Sequence, residues 1–264
     1  MSDVAHLDPP VRLPNVSYGP FRLLEAVPWL MLATALRFIQ ARLGPLGGPL
    51  AIAAWHVAIF LAFLLAARRM IELTDGHTEL GALSFRQQLE LTRKVLVPVL
   101  LFMLASAFVV AYLGARWVAG NMLLGVDAIA FDQYIWIGMA WSAFLTALML
   151  LMVLNVDSGG RSHLFAALRE LWQRASCMGW AIIIATVAQI VLHAVQGAAR
   201  AAVHAYVWMP GPPHSLQKLV FFFFVFGFAV LRLWMTLAIM TFWLRQSYRQ
   251  AVLPTTMNGP ERPT

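Results

Sequence analysis

Five stretches of this chain, roughly 48–67, 95–118, 133–155, 176–198 and 219–244, each run for about twenty residues or more with almost no charge. That pattern restricts the fold more than any other feature. A helix needs about 20 apolar residues to cross the hydrocarbon of a bilayer. Inside it, every backbone N–H and C=O must be satisfied within the segment. The sequence therefore predicts an all-α polytopic membrane protein. Composition agrees, since only 12% of residues are charged, about half the fraction of an ordinary soluble domain. A sixth stretch, 24–43, has the shorter core AVPWLMLATAL, interrupted or flanked by Glu25, Arg37 and Arg42. We expect it to cross as well, giving six transmembrane helices, with GPLGGP at 44–49 as a tight hairpin link. The competing reading is a helix lying in the interface.

The placement of charge sets the expected topology. The net charge is +7, yet the basic residues sit at the ends of apolar runs and form no basic surface, so nucleic acid is not an expected partner. With both termini inside, thirteen basic residues fall on the cytoplasmic side and five on the outer side, in line with the positive-inside bias. Nearly all are arginine, which suits a GC-rich bacterial genome, so the expected location is a bacterial inner membrane. The first 20 residues are polar, hold Pro9, Pro10, Pro14 and Pro20, and lack the apolar core of a cleavable leader. The expected organisation is a disordered cytoplasmic tail at 1–17, a single transmembrane domain at 18–249 and a second disordered tail at 250–264. The lone cysteine, Cys177, permits no internal disulfide and reads as a packing residue.

An internal repeat is visible at an offset of eighty residues. SFRQQLELTRK at 84–94 matches LFAALRELWQR at 164–174, pairing Phe85 with Phe165, Glu90 with Glu170, Leu91 with Leu171 and Lys94 with Arg174. Each segment precedes a span, as PFRLLEAV does near the start. Three units are expected, each a short amphipathic cytoplasmic helix followed by a hairpin of two spans. The alternative is that every inner helix start reads this way. The layout of GGPLAIAAWHVAIFLAFLLAARRMIELTDG, SFRQQLE and LFAALRELWQRASCMGWAIIIA resembles a loose group of bacterial six-span membrane proteins of unknown function. It is similar in outline to the membrane portion of some glycerophosphodiester phosphodiesterases. The likeness is one of layout and carries over no site residue.

Polar residues inside the apolar runs are the candidate site. Arg232 lies in the middle of FFFFVFGFAVLRLWMTL at 221–237, where a charge costs roughly 2.5–3.5 kcal/mol on insertion scales. Gln189, His193, Gln196 and Arg200 follow at i, i+4, i+7 and i+11, on one helical face. With His56 they suggest a polar cluster of His56, Gln189, His193 and Arg232 that opens outward toward Asp127 and Asp132. No acid is expected at the depth of Arg232, so carbonyls, water or a bound anion would have to neutralise it. Gly138, Ser142 and Thr146, four apart, suggest a close-packing face within the chain or against a partner. DSGGRSH at 157–163 reads as a turn, and the aromatic loop at 203–217 as an interfacial cap.

These residues match no nucleophile elbow, zinc, Walker or dinucleotide motif. Haem between two histidines, or a metal among His193, His204, His214, Asp127 and Asp132, has no spacing behind it, so no cofactor and no metal are expected. The primary expectation is a non-catalytic membrane protein, a subunit or assembly factor of a membrane complex, with the bilayer and other membrane subunits as partners. The alternative is a small transporter or channel component with a polar pathway along Arg232, Gln189, His193, His56 and Gln196. An intramembrane enzyme acting on lipid is a third class with no motif in its support.

Overall fold

The structure is a computed structural model, and it describes residues 25–40, 47–73, 85–157, 164–207 and 214–257. Among these there is no strand. The helices are α1 (Val27–Gln40), α2 (Gly47–Leu73), α3 (Phe85–Tyr112), α4 (Arg116–Met122), α5 (Trp136–Asp157), α6 (Leu164–Gln173), α7 (Ala175–Val207) and α8 (His214–Met257), with a 3-10 turn at Asp127–Ile129 between α4 and α5. Five helices are long and apolar enough to cross a membrane, over Leu50–Ile71, Phe85–Tyr112, Trp136–Asn155, Ala175–Ala205 and Ser215–Ser247. Each overlaps one of the five runs read from the sequence. The sixth differs: α1 has 14 residues, about 21 Å at 1.5 Å per residue, against a hydrocarbon thickness of about 30 Å. It packs along α2 and α8.

The bundle has two central helices and three peripheral ones. Of the apolar windows in α2 and α5, 67% and 72% are buried, against 28%, 28% and 22% for α3, α7 and α8. The buried side chains form one main core, with Phe60 and Phe63 from α2 and Leu148 to Leu151 from α5 at its centre. Small residues make the close approach. Ser142 and Thr146 on α5 are fully buried within the chain, so the small-residue face packs internally. The outward faces of α3, α7 and α8 remain apolar, as Leu101, Phe108, Ile183 and Val191 show.

Local sequence explains the element ends. α3 stops at Tyr112 because Gly114 takes φ +91°, a left-handed conformation open to glycine. The N–H of Gly114 donates to Ala111 O and that of Ala115 to Val110 O, the bond pair that closes a helix around a C′ glycine. The run expected over 95–118 therefore ends before Arg116, which opens α4. The repeated segments diverge in a similar way: residues 85–94 are the first turns of α3, whereas 164–173 form the separate helix α6, which passes into α7 at Arg174. Their matched positions still agree. Phe85 and Phe165 are exposed, Leu91 and Leu171 are buried, and Glu90–Lys94 and Glu170–Arg174 are both i,i+4 ion pairs.

α8 continues as helix to Met257, so residues 250–257, expected in a disordered tail, are helical. The expected tail at 1–17 and the DSGGRSH turn from 158 to 163 lie outside the described residues, as do 258–264.

Candidate functional site

The connection between α4 and α5 is not a simple surface loop. Val126, Asp127, Ala128, Ile129, Ala130, Phe131 and Gln133 are all buried, so this stretch folds into the end of the bundle. Irregular backbone at such a place is tolerated when protein surrounds it. Two side chains pin it. Trp141 Nε1 donates to Met122 O at 3.1 Å. Gln133 Nε2 donates to Leu124 O at 3.2 Å. The Gln133 carboxamide also lies over Gly138, where any Cβ would collide with it. Glycine at 138 thus makes room for the segment that carries both acids of the site.

That segment supplies the acid partner of Arg232. Arg232 is fully buried. Its Nη2 donates to Asp132 Oδ1 at 2.6 Å and to Gln196 Oε1 at 3.0 Å, and its Nη1 donates to Phe131 O at 3.0 Å. The expectation that no acid reaches Arg232 is therefore corrected. Asp132 arrives from a neighbouring connection, and distance along the sequence says nothing about that approach. His193 Nδ1 lies 2.8 Å from the other Asp132 oxygen, and Tyr134 meets the His193 ring edge-on with centroids 5.8 Å apart. Asp132 thus joins α7, α8 and its own connection through one carboxylate.

The direction in which the guanidinium reaches follows from the helix geometry. Arg174 at the start of α7 donates to Ser247 Oγ on α8 at 3.1 Å, which sets a common level at the α6 end of the bundle. From that level Arg232 Cα is about 22 Å along α8, while Gln196 is about 33 Å along α7. Side chains on a helix lean toward its N-terminus, and the N-terminus of α8 points away from α6. The guanidinium therefore reaches toward the end of the bundle away from α6, where the segment between α4 and α5 meets it.

Other candidates separate from this cluster. Gln189 donates to Thr236 Oγ1 at 3.3 Å, one turn from Arg232 along α8, and does not contact the guanidinium. His56 is buried and turns back on its own helix, its Nδ1 2.7 Å from Ile52 O, with its ring stacked on Trp55. It belongs to the surroundings of Asp127, not to those of Arg232. Asp127 pairs with Arg37 of α1 at 2.6 Å, and the Arg37 guanidinium lies 4.5 Å from the centre of the Phe131 ring. Burial pushes the Asp127 carboxyl above its ordinary value, and Arg37, followed by His56, draws it partly back. Sequence reasoning missed Arg37, Tyr134, Thr236 and the Phe131 carbonyl as site members. One signal pointed to the pairing: Asp127 and Asp132 are the only charges between Arg116 and Asp157, and two isolated acids require cations from elsewhere.

A cavity of about 300 Å³ adjoins the cluster, lined by Asp132, Tyr134, Gln196, Arg37, Arg200 and the aromatic side chains of Phe38, Phe131, Phe221 and Phe224. Arg200 donates to the Tyr134 hydroxyl at 2.9 Å. No group of three or more potential metal ligands occurs among the described residues. Chemically the arrangement is an ion-pair clamp, with Arg232 closed off behind Asp132 and Gln196 and a cationic, aromatic cavity in front of them. No protein-family model matches the chain, and no match was found among curated proteins or among solved structures.

Proposed function

We propose that the chain is a non-catalytic membrane-embedded scaffold, a subunit or assembly factor of a larger membrane complex in a bacterial inner membrane. The observation that carries this reading is the state of Arg232. It is fully buried, and it donates to a carboxylate and a backbone carbonyl of the segment between α4 and α5 and to a side-chain amide of α7. A charge held that way fixes helix packing, whereas a residue on a conduction path would exchange partners. The wide apolar faces of α3, α7 and α8 supply surface for lipid and for neighbouring subunits. In this reading α1 is the sixth crossing helix, with its short length made up by its neighbours. Residues 85–94 and α6 lie at the cytoplasmic face with both termini, in the layout of the bacterial six-span group that the sequence resembles.

The test is native mass spectrometry after gentle extraction from the source membrane. The expected result is co-purification of one or more proteins in fixed stoichiometry, retained when Arg200 is replaced and lost when the bundle is unfolded. Isolation of the chain alone, with ion flux in liposomes that Arg232→Gln abolishes in a folded variant, would overturn the reading in favour of a transporter or channel component.

A further inference from the structure

The far-face ends of α1, α7 and α8 form a groove that the clamp does not use. Beside the 300 Å³ cavity lies a second of about 440 Å³, lined by Phe38, Ile39, Ser215, Lys218, Leu219, Phe221 and Phe222. The two share Phe38 and Phe221, whose rings meet edge-on with centroids 5.8 Å apart. The pair of cavities therefore forms an aromatic trough with cations along it. Among the described side chains here, Arg37, Arg200, Arg232 and Lys218 face the two carboxylates of Asp127 and Asp132. Arg232 and Arg37 engage those carboxylates, while Arg200 and Lys218 are exposed and leave the groove with excess positive charge. Arg200 is about 39 Å along α7 from the Arg174–Ser247 level, and Lys218 about 43 Å along α8. On the same scale Phe221 is at about 39 Å and Phe224 at about 35 Å, so the rings lie level with Arg200 or one turn below it, and Lys218 stands beyond them.

We propose that this groove holds an anionic phospholipid, with its phosphate against Arg200 and Arg37, Lys218 flanking the headgroup, and an acyl chain along Phe38, Phe221 and Phe224. The excess positive charge of the groove selects the anion, and the aromatic trough selects a molecule with a chain. Free phosphate would satisfy the first and not the second. The site is independent of whether the chain serves as a subunit, so either reading can fail alone.

The experiment uses the full chain, purified and delipidated in a neutral detergent, with lipid retention read by native mass spectrometry. The probes are phosphatidylglycerol, phosphatidylcholine with the same acyl chains, and inorganic phosphate. One phosphatidylglycerol per chain should be retained, at least about tenfold more tightly than phosphatidylcholine. Arg200→Gln with Lys218→Gln, both at exposed positions, should weaken retention by on the order of thirtyfold, from about fivefold per basic residue near a membrane surface. A second variant, Phe221→Ser, should weaken retention without removing the preference for the anionic lipid. Equal retention of the two lipids, or wild-type retention of phosphatidylglycerol by the double variant, overturns the site. Competition by inorganic phosphate at the same concentration as the lipid overturns the acyl-chain part.

Discussion

At the scale of single residues, the clamp behaves as a buried ion pair whose two halves depend on each other. Removing one partner of such a pair leaves the other charge uncompensated and typically costs about 3–5 kcal/mol. Arg232→Gln should therefore destabilise the protein by about that amount, and Asp132→Asn by a similar amount. The double variant should cost clearly less than the sum, because neither charge is then stranded. A double-mutant cycle on thermal or denaturant unfolding in detergent checks this, and strict additivity would show that the two residues do not couple. His193→Ala should cost roughly 1 kcal/mol, since Asp132 keeps Arg232 and His193 is only partly buried.

At the scale of elements, the segment between α4 and α5 is held by shape as much as by bonds. Gly138 admits the Gln133 carboxamide, and Gly125 lies against the Trp141 ring and Leu145 with no room for a Cβ. Gly138→Ala should push the Gln133 carboxamide aside and break its hydrogen bond to Leu124 O, costing on the order of 1 kcal/mol. It should also weaken the Arg232–Asp132 coupling measured in the same cycle, because Asp132 adjoins Gln133 in the displaced segment. A stability change below about 0.5 kcal/mol would mean that the segment gives way freely. The repeated segments show how one pattern yields two elements. Each keeps an exposed aromatic, a buried leucine and an i,i+4 ion pair, a set that any amphipathic helix at the same depth would favour.

At the scale of the whole molecule, the arrangement has two ends of different character. The α6 end carries Arg174 and Ser247 at one level, and the other end carries the acids, Arg200 and Lys218. Single-cysteine labelling in a Cys177→Ser background tests this in intact cells or oriented vesicles. Phe165→Cys, at a position that is 82% exposed, should react with an impermeant thiol reagent only from the cytoplasmic side. Lys218→Cys should react only from the opposite side. Labelling of both from one side would contradict a membrane-crossing α7 and α8. A cysteine in the N-terminal tail accessible from the cytoplasmic side would establish α1 as a crossing helix, and the reverse result would leave it on the far face.

What the sequence determined by itself was the set of elements that a bilayer dictates. Hydropathy and helix length are local quantities, so the five spans were readable residue by residue, whereas the run read as 95–118 continued past the Gly114 stop that ends α3 at Tyr112. The isolation of Arg232, Asp127 and Asp132 among apolar neighbours was equally legible, because an unpaired charge in such surroundings calls for a partner. Which partner answers was decided only by the tertiary structure. Arg232 meets Asp132 a hundred residues away, Arg37 meets Asp127 ninety away, and Gln196 takes the contact that Gln189 was expected to make. Those pairings follow from how far α7 and α8 extend past α5, from the lean of a long side chain toward its helix N-terminus, and from the space that Gly138 leaves for Gln133. No spacing along the chain encodes these three facts, because each depends on where one element stands beside another.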